Sequence, residues 1–324
     1  MRKVLFATTA IATVAGAMAV ANADVTVSGG VEWRYSSVSD DMDNSSAREA
    51  DASFVSNVDV TISFSNTTDS GISTAASVNW DDGAAATVTS SVSGDFGTIE
   101  WVEGSDSEHA ASSYDITSPG TSGGVGDMAH GVTDSNGAAV TGVQANEAVI
   151  SDASNGALNY HSPDLAGFQF GIGTSHLSSA DADTSSSYGL KYSGAMGDVS
   201  YSVGYAAYDG TGDDEGTHVG VSASWDAVTV GMGSAENKSS AGDEEDTTSY
   251  GITYAVSDVL TVGVGMTDSE NDNGNELKNT QIGVVYTIAP GLTASLASHS
   301  FEYTETGAND NEGTVTQAEL KMSF

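Results

Sequence analysis

Cysteine is absent from the 324 residues, so the chain has no disulfide framework and no thiolate metal site. Basic residues are nearly as scarce: eight Lys and Arg stand against 45 Asp and Glu, a formal net charge of −37. That sign disfavours nucleic-acid backbones and anionic lipid surfaces as partners. Proline occurs three times, at Pro119, Pro163 and Pro290. Each lies in a break between alternating segments, not inside one, where it would remove a ladder hydrogen bond. Beyond residue 23 no run of about 18 apolar residues occurs, so no membrane-spanning helix is expected. There is no His-centred metal motif, and an enzyme is not expected.

What is present begins with an export signal. Arg2 and Lys3 give a basic start, Val4–Val20 is mostly small and apolar, and Ala21-Asn22-Ala23 is an A-x-A cleavage site. Residues 1–23 are expected to be removed, leaving a single domain over 24–324. That domain is rich in glycine, with 38 in the whole chain, and reads as antiparallel β structure. Its acidity fits a saline or divalent-rich surface, and equally a field that selects cations.

Alternation of apolar and polar residues marks sixteen strands, near 25–35, 52–65, 71–81, 84–93, 96–103, 156–162, 167–177, 185–194, 197–208, 215–225, 227–236, 246–256, 258–269, 277–288, 291–303 and 313–324. The number is even, as closed antiparallel membrane barrels of single bacterial chains require. Gaps after even strands are short, as at Ser93-Gly94-Asp95 and Ala289-Pro290. Gaps after odd strands read as mostly longer and acidic, as at Ser36–Asp51, Asn237–Glu245, Glu270–Glu276 and Thr304–Glu312. Each strand has one apolar face: Tyr250, Ile252, Tyr254 and Val256 against Ser249, Gly251 and Thr253 in the twelfth. A soluble sandwich would turn that face inward, and a membrane barrel would turn it to lipid. Periodicity alone does not choose between them. The even count, the gap asymmetry, the export signal and aromatics at strand ends favour the barrel.

One stretch breaks the rhythm. Residues 104–155 form a long irregular segment between FGTIEWVEG (Phe96–Gly104) and NYHSPDLAGFQFGI (Asn159–Ile172), and irregular segments of this length in a compact domain are functional or disordered. Folded into the lumen, it would line a constriction with Asp106, Glu108 and Asp115, with Glu103 at its root, and a ring of acids favours cations. Strand parity turns Glu32, Arg34, His161, Lys191 and Lys321 to the lumen wall. The acid runs Asp213-Asp214-Glu215 and Asp243-Glu244-Glu245-Asp246 carry the oxygen ligands that calcium or magnesium takes. Without an EF-hand or a glycine-rich nonapeptide repeat, a solvated or lipid-A-bridging surface is favoured for them, and no other cofactor is expected.

At these residues the chain resembles the Gram-negative general porins. The run GDFGTIEW (Gly94–Trp101) enters the long third loop, NYHSPDLAGF (Asn159–Phe168) leaves it, the sixteen-strand rhythm surrounds both, and the chain ends on Phe324. The resemblance implies a 16-stranded antiparallel transmembrane β-barrel with the third loop folded into the lumen. It also implies a homotrimeric outer-membrane channel, bedded in outer-membrane lipid and lipopolysaccharide, that passes ions and small hydrophilic solutes. Family members commonly place arginines on the wall facing an acidic loop. Here the corresponding positions hold Glu103, His161 and Thr61, which leaves Arg34, Lys191 and Lys321 as the basic wall residues. The competing expectation is an acidic β-rich surface or adhesion protein without a conducting pore.

Overall fold

The computed structural model describes residues 24–40, 52–81, 86–103, 110–120, 132, 140, 143, 156–175, 184–210, 214–239, 243–307 and 310–324. The segment read as an export signal lies outside the described residues. Sixteen strands follow in chain order. They are β1 (Asp24–Asp40), β2 (Ala52–Thr67), β3 (Ser73–Trp80), β4 (Thr87–Gly94), β5 (Gly97–Glu103), β6 (Ala157–His161), β7 (Phe168–Ser175), β8 (Ser185–Met196), β9 (Val199–Asp209), β10 (Glu215–Trp225), β11 (Val228–Lys238), β12 (Glu244–Ser257), β13 (Leu260–Asn271), β14 (Glu276–Ala289), β15 (Leu292–Thr304) and β16 (Asn311–Ser323). Each pairs antiparallel with its neighbours in sequence, and β1 pairs with β16, so the sheet closes into a barrel with no free edge. Phe324 completes the seam: its N–H donates to the Gly29 carbonyl and the Gly29 N–H donates to its carbonyl, both at 3.0 Å.

The polarity of the wall decides between sandwich and barrel. On β12 the apolar residues Tyr250, Ile252 and Tyr254 are 51%, 45% and 46% exposed, while Thr247 and Ser249 on the opposite face are fully buried. An inside-out distribution of this kind is stable only where the outer medium is itself apolar. The apolar face is also sharply bounded. Outward residues of β13 run Leu260, Val262, Val264, Met266, then Asp268 and Glu270. Those of β14 run Ile288, Tyr286, Val284, Ile282, then Thr280, Lys278 and Glu276. Four outward positions span about 20 Å of strand, close to the ~25 Å apolar band of outer-membrane barrels.

The short turns sit at one rim as expected, several of two residues: Asp95-Phe96, Gly197-Asp198, Asp226-Ala227, Asp258-Val259 and Pro290-Gly291. Gly97 follows one of them at φ 101°, where an added Cβ would strike the His161 carbonyl oxygen. Only glycine fits such a corner. At the other rim the expected long acidic loops after β11, β13 and β15 are short connections, because the strands continue into them. β11 reaches Lys238, β12 starts at Glu244, β13 runs to Asn271 and β15 to Thr304. The acids concealed these strand ends, since Asp and Glu are poor strand formers and the outward face there meets water and not lipid. The run at 243–246 is therefore not a loop from Glu244 onward: Glu245 faces the lumen while Glu244 and Asp246 face outward.

Ile252, near the middle of the apolar belt, and Thr253, its lumen-facing neighbour, give a direct test of this polarity. Ile252→Arg is expected to lower unfolding stability in lipid by ~2–4 kcal/mol, as for a cation at the bilayer midplane. Thr253→Arg should cost less than about 1 kcal/mol. Urea midpoints of the refolded variants measure both, and the reverse order would mean an apolar interior.

Candidate functional site: the lumen and the loop seated in it

Residues 110–120 of the long third loop lie inside the barrel against the wall of β6 to β14. A short 3₁₀ turn, Ala110–Tyr114, buries Ala110, Ala111 and Tyr114. Beyond it the chain crosses successive strands over a track of lumen-facing glycines. Gly171 of β7 and Gly189 of β8, paired in register, leave room for the Tyr114 ring. Gly204 of β9 and Gly220 of β10, also paired, admit the Tyr114 carbonyl, Ile116 and the Ile116 carbonyl. Gly231 of β11 and Gly251 of β12 admit Pro119. A Cβ at any of these positions would occupy space the loop now fills. The segment ends at Gly120 (φ 87°), whose carbonyl accepts a hydrogen bond from Gln281 Nε2 of β14 at 3.0 Å.

Two histidines of the wall meet adjacent loop residues. The Tyr114 hydroxyl lies 3.2 Å from Nδ1 of His161 on β6, with the rings stacked 5.9 Å apart. Burial, and secondarily the nearby Tyr160, pushes the Tyr114 phenol up to about 12, so it stays protonated at any ordinary pH. Asp115 Oδ1 lies 3.6 Å from Nδ1 of His218 on β10, a fully buried side chain. Further along, Val132 and Val143 pack with Leu277, Phe301, Tyr303 and Val315 as a small apolar cluster inside the barrel, with Val38 and Val140 against it. Here the strand pattern inverts: near this rim β14 to β16 turn apolar residues inward and Lys278, Glu302 and Glu312 outward.

The remaining lumen is lined by charge. On β1 and β16, Arg34 Nη2 donates to Glu32 Oε1 at 2.7 Å, Arg34 Nε lies 3.7 Å from Glu319 Oε2, and Lys321 Nζ lies 4.0 Å from Glu32 Oε2. Half-exposed pairs of this kind add about 0–1 kcal/mol to stability. Their effect is electrostatic: two of the three basic wall residues are countered by adjacent acids. Lys191 faces the lumen on β8, between Gln169 and Gly204. Asp59 of β2 meets Asp81 on the same side. Glu245 of β12 accepts hydrogen bonds from Ser269 (2.7 Å) and Thr247 (3.1 Å).

Of the residues singled out from the sequence, Glu32, Arg34, His161, Lys191 and Lys321 all line the lumen, and Asp115 lies at the wall. Asp106 and Glu108 fall outside the described residues. Glu103 needs correction. It pairs with Val88 and shares the outward face with Ile99 and Trp101, so the lumen-facing acid of β5 is Glu100, opposite Ser91 and Asn159. Strand parity read one residue further back would have found Glu100, and it would equally have found Asp59 and Glu319. The glycine track carried a subtler signal, glycines recurring on the polar face of successive strands.

A closed sixteen-stranded barrel with an apolar belt, a polar lumen and a loop seated within it defines an outer-membrane channel protein. The family model described as Gram-negative porin matches residues 7–314, and the chain belongs to that family. Solved structures agree in fold. The anion-selective porin from Comamonas acidovorans is 15% identical at a TM-score of 0.63, covering 94% of this chain and 100% of its own. OmpT of Vibrio cholerae lacking loop L8 is 14% identical at 0.65, covering 93% and 99%. A Rhodopseudomonas blastica porin triple mutant is 17% identical at 0.63, covering 93% and 100%. No curated protein matches the chain in sequence. The protein is an outer-membrane porin, a member of a family of passive channels.

Gly220→Val tests the seat, since its side chain would fall on the Ile116 carbonyl. Overpacking of this kind costs about 1–3 kcal/mol. Displaced from the wall, the loop has only the lumen to move into, so single-channel conductance is expected to fall. Unchanged conductance together with unchanged stability would mean that the loop does not rest on β10.

Proposed function

We propose that this porin is a cation-preferring diffusion channel for ions and small hydrophilic solutes. The observation that carries the reading is the balance of lumen-facing charge. Glu32, Asp59, Asp81, Glu100, Asp115, Glu245 and Glu319 stand against Arg34, Lys191 and Lys321, and acids hold Arg34 and Lys321 close. Fixed charge acts over about 8–10 Å in physiological salt, so every ion that passes close to the wall feels it. Rings of acid lower the entry barrier for cations and raise it for anions, with size exclusion at the loop acting on both.

Reversal potential under a KCl gradient tests the sign. A cation-favouring potential is expected, shifting toward neutral when Glu32, Glu100 and Glu319 are together replaced by Gln. A potential unmoved by that change would transfer selectivity to the remaining loop acids, Asp106 and Glu108 among them. Clear anion preference would overturn the reading and point to Lys191 and Arg34.

The reading extends to a homotrimer joined across the low wall of β3 to β7, strands of only five to eight residues. A wall this short leaves outward surface that a neighbouring copy covers. Lipopolysaccharide would surround the taller wall. There Asp246 faces Glu270, Glu270 faces Glu276 and Glu302 faces Glu312 in register. Like charges directly opposite are destabilising, and calcium or magnesium between carboxylate and lipid phosphate relieves that repulsion. Native mass measurement with lipopolysaccharide, with and without chelator, should show three chains and lipid lost on chelation. Single chains throughout would remove the trimer, and lipid retained after chelation would remove the bridging ions.

A further inference from the structure

All three histidines among the described residues, His161, His218 and His299, face the lumen along the wall that carries the inward loop. His218 is fully enclosed, and the loop carboxylate Asp115 lies 3.6 Å from its Nδ1. The register partners of His218 are Ala206 on β9 and Ala235 on β11, and the lumen-facing residues beside it on its own strand are Gly216 and Gly220. Tyr208 of β9, in register with Gly216, and Tyr114 of the loop are titratable side chains of the same seat. Glu245 on β12, two strands away, sits nearer the acidic rim and is engaged by Ser269 and Thr247.

We propose that His218 is a positioning residue that holds the segment 110–120 on the wall through Asp115, and that this hold depends on its proton. With the imidazole charged, the contact is an ion pair shielded from solvent, where electrostatic attraction is several-fold stronger than in bulk water. With the imidazole neutral, only a dipolar contact remains. Pairing therefore stabilises the seated loop below the imidazole range, and the stabilisation is lost as pH rises through it. Imidazole is the side chain whose ordinary titration falls between about pH 5 and 8. The neighbouring contact of His161 with Tyr114 does not share this dependence. Neutral Nδ1 accepts from the phenol, protonated Nδ1 donates to it, and the bond persists in either state. The glycine track adds no pH term.

This inference rests on the channel reading, and single-channel recording of the intact refolded barrel separates the two. Between about pH 5.5 and pH 8 the wild type is expected to show several-fold more frequent partial blocks, as the loosened segment leaves the wall for the lumen. In His218→Gln the blocks should be frequent at both pH values, with no step between them. Asp115→Asn should behave the same way and keeps the test open where the buried His218 variant does not fold, which heat-dependent migration in gels reports. His161→Gln should retain the step. A step that persists in folded His218→Gln or Asp115→Asn overturns the proposal, as does a conducting wild type without one. Folded, membrane-inserted protein that conducts no ions would instead overturn the channel reading itself.

Discussion

In the hydrocarbon core of a membrane no water is present to satisfy a free backbone N–H or carbonyl, and each unsatisfied group costs several kcal/mol. A chain whose described residues form no long apolar helix meets that constraint by closing a sheet on itself. The seam between β1 and β16, finished by the two hydrogen bonds between Gly29 and Phe324, is therefore what the remainder of the wall depends on. Once the seam is closed, side-chain alternation divides the chain into a lipid face and a lumen face. The same two-residue period that would build a soluble core then places valines and tyrosines against lipid, and threonines, serines and glycines against water.

A barrel of sixteen strands encloses more space than its own wall side chains fill. The third loop takes part of that space, and the wall is shaped to receive it. Backbone approaches backbone along the glycine track, and specific contacts fix the ends: Tyr114 to His161, Asp115 to His218, Gly120 to Gln281. Residues further on pack a small apolar cluster against the tall wall. Close backbone approach gives position, and the polar contacts give register. The loop is thus held by the strands it crosses as well as by its two covalent ends.

The strand count and most of the lumen-facing parity were legible in the sequence, because both follow from a period of two. Closure rested instead on the even count, the gap asymmetry and the export signal, and the inward loop on the resemblance to the porins. Strand ends were not. Residues such as Glu244, Glu270 and Glu276 lie on strands above the lipid belt, where the outward face is wet, and their composition resembles that of a loop. The inverted segments of β14 to β16 escaped for a related reason. Phe301 and Tyr303 lie on the lumen face, yet they are apolar because the loop and not water covers them. Glu103 was placed in the lumen by analogy of position, whereas the register of β5 sends Glu100 there.

Charge selection follows from these placements and not from the fold. The anion-selective porin from Comamonas acidovorans shares this architecture at 15% identity, so the fold alone does not fix the preference proposed for this chain. What differs between two such channels must be carried by side chains at the inward parity positions. Here Arg34 is bracketed by Glu32 and Glu319 on its own and the adjacent strand, while Lys321 lies within reach of Glu32. A base countered at such distances contributes little field beyond a few ångströms, whereas Glu100 and the Asp59–Asp81 pair project net negative charge into the lumen. On the cation-preferring proposal, reversing the sign takes changes at a handful of inward positions on β1, β2, β5 and β16, without disturbing one apolar residue of the belt.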